Sequence, residues 1–93
     1  MDYVAILRDA LGSPVTPERP LGCGRIYVSV DKAHAKGIRA AAAKLGKLFQ
    51  TRSHYGTANA LYVGYDNCDG QALARGTAIV AKLKAAGIEC YRD

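Results

Sequence analysis

Apolar and polar residues alternate along four short stretches of the chain, with the period of two that is typical of β-strands. The clearest are residues 25–30 (RIYVSV) and 60–66 (ALYVGYD), both rich in β-branched and aromatic residues. Residues 47–54 (KLFQTRSH) and 88–93 (IECYRD) show the same character more weakly. Residues 55–59 (YGTAN) join the second and third strands as a hairpin loop, where glycine and asparagine tolerate a positive φ.

Helical spacing of apolar residues separates these strands. It predicts a helix over residues 2–12, one over residues 32–46 capped by Asp31, and one that begins after Asn67 or Asp69. Each of the three helices ends at a glycine, the residue that most readily terminates a helix.

The order of elements predicts one compact domain preceded by a helix and a linker. Residues 1–12 form the N-terminal helix, residues 13–24 a Pro/Gly linker, and residues 25–93 an α+β domain with the order βαββαβ. This order is the ferredoxin-like arrangement, a four-stranded antiparallel sheet with two helices on one face. The glycines inside the two helices, Gly37 and Gly76, predict close approach of a neighbouring element.

The alternation also sorts the strand residues between the covered and the open face of the sheet. Ile26, Val28 and Val30 are expected to face the helices, which leaves Tyr27 and Ser29 outward. In the third strand Leu61, Val63 and Tyr65 are expected inward. The remaining outward positions are Ala60, Tyr62, Gly64, Glu89 and Tyr91. Since the first and third strands are the central pair, Tyr27 and Tyr62 should stand side by side.

Two strand sequences resemble those of the RNA-recognition motif. Residues 26–31 (IYVSVD) are similar to its first-strand signature, and residues 60–65 (ALYVGY) to the end of its third-strand signature. The resemblance implies that Tyr27 and Tyr62 stack on unpaired bases. Tyr91 is the third predicted aromatic contact, because the strand order places it on the neighbouring edge strand. The basic-glycine start of the family's signature is Ala58-Asn59 here, and Ala60 replaces its first third-strand aromatic.

The hairpin loop is a second candidate contact for nucleic acid. Arg52, His54 and Tyr55 are clustered beside Gly56, at the end of the predicted open sheet. Such a loop can wrap a ligand strand with Arg52 on a phosphate, and the alternative is a plain solvated turn.

The excess positive charge lies in one part of the chain. The formal net charge is +5, and there is no acidic residue between Lys32 and Tyr65. A polyanion or an acidic protein surface is the partner that such a zone favours, and a solvated helix face is the alternative. The basic residues proposed for this surface are Lys32, Lys36, Arg39, Lys44 and Lys47.

No catalytic residues, metal site or cofactor are predicted. Asp66 and Asp69 resemble the acidic strand end of toprim enzymes, but Cys68 stands where the second acid is needed. Asp31 and Asp66 would emerge from adjacent strands, and each is better placed to cap the helix that follows. No nucleophile context and no phosphate-binding glycine loop is present, so we expect a binding protein and not an enzyme.

The cysteines and the hydropathy suggest a cytoplasmic protein. Cys23, Cys68 and Cys90 are odd in number and widely spaced, so they are expected to be reduced thiols, with Cys90 in the core. No apolar stretch approaches the roughly 20 residues of a membrane span. The N-terminus lacks the basic region of a secretory signal.

Three functions are compatible with these features. The first is binding of single-stranded RNA or DNA on the open sheet face. The second is a phage- or plasmid-type protein-interaction module that docks on a nucleic-acid machine and inhibits it, similar in size and charge to anti-CRISPR proteins. The third is a small-ligand sensor that resembles ACT domains and works as a homodimer.

Overall fold

The computed structural model describes residues 1–17, 24–51 and 59–92. It contains three helices and a four-stranded sheet. In chain order the elements are α1 (Tyr3–Gly12), β1 (Gly24–Val30), α2 (Lys32–Lys44), β2 (Phe49–Gln50), β3 (Ala60–Asp66), α3 (Gln71–Ala85) and β4 (Cys90–Arg92).

The sheet has the strand order β2-β3-β1-β4, and each neighbouring pair is antiparallel. The predicted ferredoxin-like arrangement, with β1 and β3 in the centre and an additional N-terminal helix, is therefore confirmed. β2 is shorter than the predicted second strand, and residues 52–54 of that prediction lie outside the described ranges.

One hydrophobic core lies between the helices and the inner face of the sheet. Its side chains come from all three helices and from strands β1, β3 and β4. Short side chains in α2, such as those of Ala41 and Ala42, allow this helix to lie close to its neighbours. The largest fully buried apolar residues are Leu7, Val28, Ile38, Leu61, Ile79, Leu83 and Ile88.

Helix α1 packs against α2 and α3. The Tyr3 ring lies directly over Gly37 of α2, where a Cβ atom would collide with the ring. The hydroxyl of Tyr3 is 2.8 Å from Nδ1 of His34, and the two rings meet edge to face. Gly37 is therefore the residue that allows α1 to dock on the helical layer.

The other end of α1 is held by Arg75 of α3. Its Nη1 atom donates hydrogen bonds to the carbonyl oxygens of Ala10, at 3.1 Å, and of Ser13. A cation at the C-terminal end of a helix satisfies carbonyls that have no partner within the helix. Lys82 and Asp9 add an exposed ion pair of 3.1 Å between α3 and α1.

Gly76 in α3 allows the sheet to approach that helix. A Cβ atom there would lie 3.0 Å from Cδ of Arg92 and 3.1 Å from Cγ2 of Ile26. Arg92 itself points to the helical side, where Nη1 donates to the Thr77 hydroxyl at 2.7 Å and to the Leu73 carbonyl at 3.1 Å. The prediction of close approach at both inner glycines is confirmed.

The predicted facing of Gly64 and Tyr65 is wrong, because β3 contains a β-bulge, whereas Val63 packs against the core as predicted. Tyr27 pairs with Tyr62, whereas the preceding Ile26 pairs with Gly64, so Val63 is an extra residue on β3. An extra residue reverses the alternation beyond it. Gly64 consequently faces Ala72 of α3, and Tyr65 faces outward with 53% of its surface exposed.

The prediction that all cysteines are reduced thiols is wrong. Cys68 is disulfide-bonded, whereas Cys90 is a free thiol. Cys90 is a core residue as predicted; its Sγ atom is 3.6 Å from the Val80 carbonyl, and burial raises its pKa. Cys23 lies outside the described residues.

Candidate nucleic-acid interface

Strand β1 aligns three tyrosines along the outer face of the sheet. Its outward positions are Arg25, Tyr27 and Ser29, and each of them pairs with a tyrosine on a neighbouring strand. These register pairs are Arg25 with Tyr65, Tyr27 with Tyr62, and Ser29 with Tyr91. Outward residues of one strand are about 7 Å apart along its length, so three evenly spaced rows each present a tyrosine.

The central row holds two aromatic rings in contact. The centroids of Tyr27 and Tyr62 are 5.4 Å apart, and their planes are tilted by 57°. This geometry lies within the range that aromatic pairs prefer, and such a pair contributes about 0.5–1.5 kcal/mol beyond its buried area. The predicted side-by-side placement of these residues is confirmed, and both rings are only partly buried.

The flanking positions of the outer face are more exposed. Tyr91 has 57% of its surface exposed, and Tyr65, in the row at the other end of β1, has a similar exposed fraction. Leu48 precedes β2, and its carbonyl accepts a hydrogen bond from the Tyr62 N–H at 2.9 Å. Its side chain is 69% exposed and extends the apolar surface beside the central row.

Ser29 and Ala60 are the exceptions on this face. Both lie at outward register positions, yet both are buried. Their small side chains are flanked in the sheet by Tyr27, Tyr62 and Tyr91. The row of Tyr91 therefore has small, buried side chains in its middle and an exposed aromatic ring on the edge strand.

Charge on the outer face comes from Arg25. This residue is exposed and stands directly opposite Tyr65. Within the strands, the outward positions that the structure describes carry no carboxylate; the exposed Glu89 precedes β4. A cation beside an aromatic ring, without a carboxylate in the same rows, suits a ligand with bases and phosphates.

The basic residues predicted as a second surface lie in and just after α2. Lys32, Lys36 and Arg39 share an exposed side of this helix, away from its buried residues, while Lys44 and Lys47 stand near its C-terminal end. All five are exposed. Because α2 covers the inner face of the sheet, a short ligand on the tyrosines cannot contact the shared side of α2 at the same time.

The acidic corner after β3 caps helix α3. Asp66 is buried, with 1% of its surface exposed, and its two carboxylate oxygens accept hydrogen bonds from different N–H groups: Oδ1 from Gly70 at 3.1 Å and Oδ2 from Leu73 at 3.0 Å. The Leu73 N–H has the largest effect in holding the pKa of the Asp66 carboxyl below its ordinary value, against the opposing effect of burial. Asp69 accepts from the Gln71 N–H at 3.0 Å.

The capping interpretation of the acids is thus confirmed, although α3 begins later than predicted, with Gly70 as its N-cap residue. Asp31 likewise accepts from the His34 N–H, at 3.0 Å, at the start of α2. In the described ranges no group of three or more His, Cys, Asp or Glu side chains could hold a metal ion.

The candidate contacts in the hairpin are Arg52, His54 and Tyr55, and they lie outside the described residues. Two residues that the structure adds to the outer face, Tyr65 and Arg25, were not among the predicted site residues. Gly64 was the available signal, because a glycine inside a strand often marks a bulge.

Comparisons with known proteins leave the resemblance to the RNA-recognition motif as a prediction. No protein-family model matches the chain, and no curated protein or solved structure shows significant similarity to it. Among the described residues, no helix combines the length and the apolar character that crossing a membrane requires.

Proposed function

We propose that this protein binds single-stranded nucleic acid on the outer face of its sheet. The observation that carries this proposal is the contact between Tyr27 and Tyr62 in the centre of that face. Aromatic side chains on an exposed sheet stack on unpaired bases of any sequence, since every base has a flat π-surface. The protein acts here as a binding module without a catalytic step.

The position of α1 supports this function. A helix lying across the outer face would have turned the tyrosines into packing residues. Instead Tyr3 is docked on Gly37 and Arg75 holds the C-terminal end of α1, so this helix belongs to the helical side. Tyr65 and Tyr91 remain exposed on the opposite side of the sheet.

The overall charge is consistent with an anionic ligand. The net charge of +5 attracts polyanions over long distances, and Arg25 supplies a cation on the face itself. Contacts to phosphates make binding weaken as the salt concentration rises.

Fluorescence anisotropy with labelled oligouridylate and oligothymidylate tests this function and distinguishes RNA from DNA. Tyr62→Ala should raise Kd by about 5- to 150-fold, the range that corresponds to one lost base stack. Tyr62→Phe is the matched control, because it keeps the ring and should bind within a few-fold of wild type. Absence of binding at low salt would refute the function.

A second candidate is docking on an acidic protein surface of a nucleic-acid-processing complex. The exposed side of α2 favours it, since Lys32, Lys36 and Arg39 face away from the tyrosine rows. Pull-down with wild type and with a Lys36→Glu, Arg39→Glu double variant tests it: a partner held by α2 should be lost from the variant.

We place this activity in the cytoplasm, and the thiol state of Cys68 tests that location. Disulfides persist mainly in oxidising compartments, so the disulfide that Cys68 forms in the structure must be open in cells if the protein is cytoplasmic. Alkylation of thiols before cell lysis, followed by mass spectrometry, should find modified Cys68. A fully disulfide-bonded Cys68 in cells would contradict a cytoplasmic location.

A further inference from the structure

The β-bulge in β3 places a further aromatic ring on the outer face. Without the extra residue, Tyr65 would point into the core, as simple alternation predicts. With it, Tyr65 lies on the outer face opposite Arg25, and Gly64 lies on the inner face beside Ala72. Bulges often re-aim a side chain next to a functional site.

Arg25 and Tyr65 together offer the two kinds of group that bind a nucleotide, a cation and an aromatic ring. The pair combines an exposed ring with an exposed guanidinium directly across the strand pair. A ring can stack on a base, while a guanidinium donates hydrogen bonds to phosphate oxygens in a fixed fork geometry. Both residues are exposed, so neither contributes to the hydrophobic core.

We infer that Tyr65 and Arg25 form a subsite for one additional nucleotide, in which Tyr65 stacks on the base and Arg25 contacts the adjacent phosphate. This inference rests on the proposed function. A single strand would then follow β1, with one base per row: at Tyr91, at the Tyr27–Tyr62 pair and at Tyr65. The rows at the two ends are about 13 Å apart, because Arg25 and Ser29 are separated by four residue steps of an extended strand.

Anisotropy titrations of oligonucleotides of increasing length test the stacking part. Wild type should gain affinity when a dinucleotide is lengthened to a trinucleotide. Tyr65→Ala should lose that gain and bind longer oligonucleotides about 5- to 150-fold more weakly, while Tyr65→Phe should bind within a few-fold of wild type. Since Tyr65 is exposed, thermal denaturation should show that both variants fold.

The salt dependence of binding tests the phosphate part. For single strands, log K changes with log salt concentration by about −0.7 per phosphate contact, so Arg25→Ala should make the slope shallower by about 0.7. Arg39→Ala is the matched control, because Arg39 is also exposed but lies on α2. It removes one long-range charge and no phosphate contact, so its slope should change clearly less than that of Arg25→Ala.

The outcomes separate the subsite from the function on which it rests. If Tyr62→Ala weakens binding while Tyr65→Ala binds like wild type, the subsite is overturned and the sheet still binds nucleic acid. An unchanged slope for Arg25→Ala overturns the phosphate contact alone. If wild type binds neither RNA nor DNA at low salt, both the subsite and the proposed function are overturned.

Discussion

The ring of Tyr3 occupies the space in which any residue other than glycine at position 37 would carry its Cβ atom. The contact is completed by the hydrogen bond of 2.8 Å between the Tyr3 hydroxyl and Nδ1 of His34. It determines which side of the molecule α1 covers. Because α1 is docked on the helices, the opposite face of the sheet keeps its tyrosines exposed.

Gly37→Ala should therefore destabilise the protein. The new methyl group must displace the Tyr3 ring from α2 and disrupt its hydrogen bond with His34, at a cost of about 1–3 kcal/mol. Urea denaturation measures this change in the free energy of unfolding. Gly12→Ala is the matched control: nothing lies near a Cβ atom at that position, so it should be neutral or slightly stabilising. Equal stability of the two variants would show that the Tyr3 contact does not hold α1.

Arg75→Ala should release the C-terminal end of α1. The substitution removes two hydrogen bonds from a cation to backbone carbonyls, and such bonds contribute about 1.5–3 kcal/mol. Lys82→Ala removes only the exposed ion pair with Asp9 and should lower stability by at most about 1 kcal/mol. Hydrogen exchange should show faster opening of α1 in Arg75→Ala than in Lys82→Ala; the reverse order would contradict this role of Arg75.

Stability should fall at acidic pH partly through Asp66. Its folded pKa is lowered, so the stability it contributes is fully present above the unfolded carboxyl pKa of about 3.9 and is lost as the pH falls through the folded value. In Asp66→Asn one of the two backbone N–H groups would face the NH₂ group of the amide, which is also a donor, so that hydrogen bond would be lost. This variant should be less stable than wild type near pH 7 and should show a weaker dependence on acid.

Urea denaturation between pH 7 and pH 2 measures both effects. Asp69→Asn is the comparison, because Asp69 is exposed and caps only the Gln71 N–H. It should lower stability less than Asp66→Asn. A variant without Asp66 that keeps the full acid dependence of wild type would exclude this carboxyl as a cause.

Charge on α2 should affect the long-range attraction of nucleic acid but not the stacking of bases on the tyrosines of the sheet. A Lys36→Glu, Arg39→Glu double variant should bind oligonucleotides more weakly at low salt and approach wild type as the salt rises, because the Debye length is only about 10 Å at 0.1 M. Anisotropy titrations at several salt concentrations measure this. A loss that persists at high salt would place the nucleic acid on α2.

The central tyrosine pair could be predicted because alternation alone decides the facing of β1 and of the first part of β3. Tyr65 could not, because a bulge depends on how two strands pair and not on the pattern within either strand. The position of α1 could not be predicted either: its apolar stripe shows that it packs, but the partner is decided by the fit of Tyr3 to Gly37. Asp66 was correctly interpreted as a cap because its strand ends just before a helix.

The most direct test of the tyrosine face is an NMR titration of protein labelled isotopically in its tyrosine rings, with a short single-stranded oligonucleotide as the ligand. Ring signals of Tyr27, Tyr62, Tyr65 and Tyr91 should shift together on binding, while that of Tyr3, on the helical side, should not. Shifts confined to Tyr3 and the backbone of α2, or no shifts in any tyrosine, would contradict nucleic-acid binding on the sheet.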